Sequence, residues 1–239
     1  MADFHGQTVD LHQGFEAPLG AGWTETDPDN NVNPQDAAAK YAGSYGASFN
    51  LNGNTAGGES SYLGYDIGGA QDPISAGFWF YAAPGSATFL LELFAPSAVP
   101  TNMGTYCAKI YYARSAGGDY AIRWRGGSGF SDDIAITSGA WYWITVYTAR
   151  NATSTINVYT AAHNLVDTKN VTGFDNGGID SICFGVGGSY DQDVSIYFDD
   201  VVVDWTDATF PLLGWTVGGG ISMPLVMLQH DHFSGGKML

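Results

Sequence analysis

From residue 10 to residue 205 the chain repeats one pattern: a short run of aromatic and β-branched residues, then a break of Gly, Pro, Asn or Asp. The runs lie at 10–16, 43–51, 61–68, 74–83, 88–96, 106–114, 119–126, 130–136, 141–149, 155–162, 165–171, 180–187 and 194–205. The breaks include Ala-Pro-Gly-Ser at 83–86, Ala-Gly-Gly-Asp at 116–119 and Asn-Gly-Gly at 176–178. No segment sustains the 3.6-residue period of a helix. This spacing predicts an all-β fold with mostly antiparallel pairing, a sandwich or a barrel. The 33 Gly supply the turns, and 14 Tyr, 13 Phe and 7 Trp in 239 residues supply a sizeable core.

Alternation along two runs predicts which strands lie deep. In 141–147, Trp141, Trp143, Thr145 and Tyr147 share one face, and Tyr142, Ile144 and Val146 the other. Both faces are apolar, which predicts a central strand covered on each side or lining an aromatic groove. In 75–81, Phe78 and Phe80 face away from Trp79 and Tyr81. The plain reading is that these aromatics fill a core.

The run Tyr197-Phe-Asp-Asp-Val-Val-Val-Asp-Trp205 carries two adjacent carboxylates, Asp199 and Asp200, in its middle. Neighbours in a pleated strand point to opposite faces, so one of the pair must face inward or sit at a sheet rim. A carboxylate there is costly unless a cation or hydrogen-bond donors satisfy it. Only 8 Lys and Arg stand against 24 Asp and Glu. A bound calcium ion is the expectation that follows.

The formal charge of −16 argues against a nucleic-acid partner, which needs clustered cations. The basic cluster is Arg123-Trp124-Arg125. Trp124, between two charges, is the best candidate to stack a sugar, but strict alternation also allows it to face the core with both arginines outward, and that is the favoured reading. Cys107 and Cys183 each sit in a strand-like run and read as buried thiols; whether they are bridged stays open. The first residues lack a basic and an apolar region, so no signal peptide and synthesis in a cytoplasm are expected. On that ground the glycosylation patterns at Asn151 and Asn170 are read as chance.

After Asp204 the character changes. A lectin-like sandwich over 1–205 and a tail over 206–239 are the expected divisions. The tail has no apolar stretch long enough to span a ~30 Å bilayer core. It carries Phe210, Leu212, Leu213, Trp215, Ile221, Leu225, Val226 and Met227, too many apolar side chains to leave in water. They are expected to dock on a capsid protein or a sister subunit, giving a homo-oligomer. The competing reading makes the tail one more strand over a sandwich face.

With the opening Gly14-Phe-Glu16, the Gly22-Trp23 pair and the closing Phe198-Asp-Asp-Val-Val-Val203 in place, the chain resembles the concanavalin A-like, laminin-G-like jelly-roll superfamily. The resemblance covers 10–205 and implies an antiparallel jelly-roll β-sandwich. It also implies that first and last strands lie side by side and share a calcium through Glu16 and Asp199 or Asp200. The arrangement is similar as well to bacteriophage virion proteins that decorate a capsid or build a fibre.

Catalytic signatures are sparse. A glycosidase needs two carboxyl groups flanking the scissile bond. The four glutamates are Glu16, Glu25, Glu59 and Glu92, and none has the alternating acidic partners of such a strand. No Gly-x-Ser-x-Gly occurs, and His230-x-His232 offers two ligands where a closed zinc site needs four. No catalytic residue is assigned. The leading expectation is a non-enzymatic, calcium-stabilised virion protein. A carbohydrate-binding module is the alternative, and a glycoside hydrolase the third.

Overall fold

The computed structural model describes residues 1–27, 30–51, 61–86, 89–95, 108–114, 120–125, 129–173, 178–186 and 193–215, and the backbone alone for 89–95, 108, 113 and 114. The strands are β1 (Ala2–Phe4), β2 (Gln7–Val9), β3 (Leu11–Gln13), β4 (Trp23–Thr26), β5 (Val32–Asp36), β6 (Gly46–Leu51), β7 (Ser61–Gln71), β8 (Ile74–Ala82) and β9 (Phe89–Ala95). They continue as β10 (Ala108–Arg114), β11 (Tyr120–Arg125), β12 (Ile134–Ile136), β13 (Trp141–Thr148), β14 (Thr153–Thr160), β15 (Leu165–Thr172), β16 (Ile179–Val186) and β17 (Val194–Asp204). Among the described residues there is no helix, hence none long and apolar enough to cross a membrane.

Two antiparallel sheets face each other as a jelly-roll sandwich. A seven-stranded sheet runs β12-β11-β10-β9-β16-β7-β4, and an eight-stranded one runs β15-β14-β13-β8-β17-β6-β5 with β3 added beside β17. Phe78, Phe80, Ile144, Val146, Ile156, Val158, Ile196 and Phe198 point inward from the eight-stranded sheet. Leu63, Ile110, Ile122, Trp124, Ile182 and Phe184 meet them from the other. Trp124 is fully buried there. It is thus no surface platform, and alternation leaves Arg123 and Arg125 to face outward. Arg123 pairs with Asp133, and the Arg125 guanidinium lies 4.9 Å from the Phe130 ring centroid. Cys183 is buried, packed with Tyr62, and Cys107 lies outside the described residues.

The outer face of the eight-stranded sheet is also covered, as the double-sided pattern of 141–147 predicts. Trp79, Trp143, Tyr159 and Val202 form a second core with Phe4 and Val9 of the β1–β2 hairpin and with Leu212 and Leu213. The segment 206–215 therefore packs on the outer face of its own sandwich. Phe210 meets Tyr147 at 5.9 Å, and Trp215 lies 5.2 Å from Tyr159 and 4.2 Å from His163. Hydrogen bonds hold it in register: Trp143 Nε1 donates to Leu212 O at 2.7 Å, Leu212 N to Thr145 Oγ1 at 3.2 Å, and Gln7 Nε2 to Leu213 O at 3.1 Å. Gly214 and Gly77 let the chain press against the Trp143 indole, because a Cβ would lie 2.5 Å and 2.6 Å from its ring atoms. Ile221, Leu225 and Met227 lie outside the described residues.

The polar stretch 27–42 contains β5. Val32 and Asn33 pair with β6, and the register shifts beyond them, where Pro34 has no N–H to give to the ladder. The strands β1, β2 and β4 are too short for their period to show in sequence.

Candidate functional site

Strand β17 carries a bulge where its two aspartates stand. Asp199 opposes Trp79 and Val202 opposes Gly77, so Asp200 and Val201 together face one residue, Phe78, of β8. Asp200 takes φ +46°. The extra residue takes one position out of the alternation, so Phe198 and Val201 both point into the core and neither aspartate has to. Here β17 also changes neighbour: 194–198 pair with β6, and 201–203 with β3.

Asp199 is buried, 2 % exposed, under the loop 37–45 between β5 and β6. Its Oδ2 accepts the backbone N–H of Tyr41 at 2.8 Å and of Ala42 at 3.0 Å, and its Oδ1 that of Asp200 at 2.8 Å. Glu16 grips the same loop further on: its Oε1 accepts Ser44 N at 2.7 Å and Tyr45 N at 3.1 Å. Asp200 Oδ1 lies 3.1 Å from His12 Nε2. The donors that these carboxylates require are thus backbone amides and an imidazole. Among the described residues no three His, Cys, Asp or Glu side chains form a metal-ligand group. The calcium expected at Glu16, Asp199 and Asp200 loses its motive, because hydrogen-bond donors meet the need that called for a cation. Burial pushes the Asp199 carboxyl up to about 7; the Asp200 charge adds to this, while the three amides oppose it.

Beside this loop an aromatic row crosses the outer face of the eight-stranded sheet. Trp141 of β13, Tyr81 of β8 and Tyr197 of β17 are direct cross-strand partners. Tyr81 lies 5.2 Å from Tyr197, ring planes 4° apart, and 5.4 Å from Trp141. The loop adds Tyr41, 5.9 Å from Trp141 and stacked on Trp79 at 3.6 Å, with its hydroxyl donating to Ala161 O at 3.1 Å. All four are half-buried, unlike Trp79 and Trp143 beside them. Burial raises the Tyr41 and Tyr197 phenols, and Asp36 adds to the shift of Tyr197, so both stay neutral at physiological pH. Rings fixed at their base with an accessible edge can stack on an apolar ligand face, while neutral hydroxyls orient its polar groups.

Two further surfaces are polar. On the seven-stranded sheet Lys109 stands opposite Arg125 and Tyr111 opposite Arg123, which gathers three of the chain's eight cations on one face, with Lys109 the buried member. At the far end of β13 an open concavity of about 630 Å³ is lined by Phe130, Asn151, Thr153, Asn170 and Thr172.

Sequence reading singled out Trp124, which the structure buries, and passed over the row. Trp141 and Tyr81 had a signal, since each lies on the face of its strand opposite the main core. Tyr197 opens the run with the aspartates. Tyr41 sits in a polar stretch and had none.

No protein-family profile and no curated protein matches the chain. Solved structures do. An endo-beta-1,4-glucuronan lyase from the fungus Trichoderma reesei superposes with TM-score 0.54 at 13 % identity, over 83 % of this chain and 96 % of that one. The cellulose-induced protein Cip1 gives 0.54 at 16 %, over 82 % and 98 %. A carbohydrate esterase from Shiga toxin-encoding bacteriophage phi24B gives 0.50 at 15 %, over 82 % and 97 %. At these identities the likeness is one of fold: a concanavalin A-like, lectin-like sandwich shared with carbohydrate-active proteins. The expectation that the chain is not an enzyme is overturned here, because a lyase and an esterase are built on the same fold. That expectation rested on the missing carboxylate pair of a glycosidase, which lyase chemistry does not call for, and on the missing Gly-x-Ser-x-Gly nucleophile pattern.

Proposed function

We propose that the chain is a carbohydrate-active sandwich that engages a glycan along the Trp141–Tyr81–Tyr197 row. The observation that carries this reading is the direct register of three half-buried rings on three adjacent strands, beside a face otherwise closed by the N-terminal hairpin and the segment 206–215. Aromatic stacking suits sugars because their C–H faces are apolar and their rims polar. The shared fold of the glucuronan lyase and the phage esterase supports a polysaccharide as ligand. The test is a glycan array with the wild-type chain, followed by Tyr81→Ala and Tyr197→Ala. Binding lost in both variants with melting within a few degrees of wild type supports the row. Binding that survives both moves the site elsewhere.

The Lys109–Arg125 and Tyr111–Arg123 pairs favour a second reading, action on an anionic glycan at the seven-stranded sheet. Cations there would neutralise a uronate carboxylate, and a tyrosine could exchange a proton with the sugar. Release of an unsaturated, ultraviolet-absorbing product from a uronan would support it; intact polymer after long incubation would count against it. Placement on a virus particle is a separate proposal, supported by the resemblance to virion proteins and by the phage-encoded fold neighbour. Co-purification with assembled particles tests it.

A further inference from the structure

Tyr41 is the one ring of the site that no strand holds. It comes from the loop 37–45, and three independent contacts fix it: its own amide on Asp199, its hydroxyl on Ala161 O, and its ring on Trp79. The loop has few apolar anchors of its own, since Ala42, Gly43, Ser44 and Tyr45 are all exposed. Two carboxylates from distant parts of the chain do the anchoring, each accepting two consecutive amides of one loop. Gly43 adopts φ +62° between the two grips, and a Cβ there would collide with the Glu16 carboxylate. An amide that loses a buried acceptor such as Asp199 finds no water to take its place.

We propose that Asp199 and Glu16 are positioning residues that clamp the loop 37–45 and so pre-set Tyr41 as the fourth ring of the glycan row. The proposal rests on the reading of that row as a glycan site. Its physical content is pre-organisation: a ring ordered before binding costs no ordering entropy at binding. Asp199 is the stricter member, because both of its oxygens are used. An Asn at 199 can keep its carbonyl oxygen on Tyr41 and Ala42 and give up Asp200 alone, so Ala is the variant that removes the grip. Glu16 uses one oxygen for both amides, so a Gln keeps the acceptor and loses only its charge.

Amide hydrogen exchange on the free protein reads the clamp without any glycan. In Asp199→Ala the Tyr41 and Ala42 amides should exchange roughly tenfold faster or more, the weight of one buried hydrogen bond. In Glu16→Ala the Ser44 and Tyr45 amides should do the same, and Glu16→Gln should restore them. Amides of β8 and β13 serve as the control for global loosening. Binding is then measured with β-1,4-glucan and β-1,4-glucuronan oligosaccharides as probes. Affinity should fall several-fold in Asp199→Ala and Glu16→Ala and return in Glu16→Gln. Unchanged exchange at Tyr41 and Ala42 in Asp199→Ala overturns the clamp. Loosened amides with undiminished affinity overturn the role in positioning. If wild type binds neither probe, the glycan reading of the row and this role fall together, while the exchange data still judge the clamp. Should Asp199→Ala fail to fold, the Glu16→Ala and Glu16→Gln pair decides alone.

Discussion

Asp199 should make the stability of this protein fall as pH rises through neutrality. Its carboxyl titrates near 3.8 when exposed and is pushed up to about 7 in the fold, chiefly by burial. A folded value above the unfolded one means that the protonated form is favoured by folding. The contribution is fully present below pH 4 and is lost as pH rises through about 7. A difference of one pH unit between the two values is worth about 1.4 kcal/mol, so the full swing is on the order of 4 kcal/mol. About half of it falls between roughly pH 5.5 and 8.5. Self-repulsion in a chain of formal charge −16 acts in the same direction, so the wild-type profile alone does not isolate the residue. The measurement is urea unfolding across that range for wild type and Asp199→Asn, which cannot ionise. The difference between the two stabilities should change by about 2 kcal/mol from one end to the other, with the variant gaining on wild type at high pH. Parallel profiles would refute the reasoning. They would mean that the amides of Tyr41, Ala42 and Asp200 fully offset the cost of burying the charge.

Other outcomes follow from the packing. Leu212→Ala should cost about 2–4 kcal/mol in urea unfolding of the monomer, because Leu212 is fully buried against the outer core; a negligible loss would return 206–215 to the role of an external docking arm. Trp124→Ala should cost roughly 3–5 kcal/mol by the same assay; an intact fold with glycan binding abolished would make it a surface platform after all. Excess chelator should leave the melting temperature unchanged, since backbone amides already engage Asp199 and Glu16. A clear drop, with calcium found by elemental analysis, would restore the cation.

Residue order alone carried the fold class and the depth of most strands. Period-2 alternation is a local property, so the two apolar faces of 141–147 and the inward set Phe78 and Phe80 were readable from it. Whatever depends on the group standing opposite was settled by long-range contacts instead. Local alternation allowed Trp124 on either face, and only the partner sheet showed that its side is the core. The aspartate pair posed a problem that residue order could state but not solve. A bulge with one left-handed residue removed the inward carboxylate, and amides from a loop some 158 positions away in the chain met the need assigned to calcium. The apolar residues of 206–215 had to be buried, and that much was legible. Which surface buries them was not, because the indole face of Trp143 that they cover exists only once β13 and β8 are paired. The candidate site has the same origin. Trp141, Tyr81 and Tyr197 lie far apart in sequence, and it is cross-strand register, set by long-range hydrogen bonding, that brings them into one row.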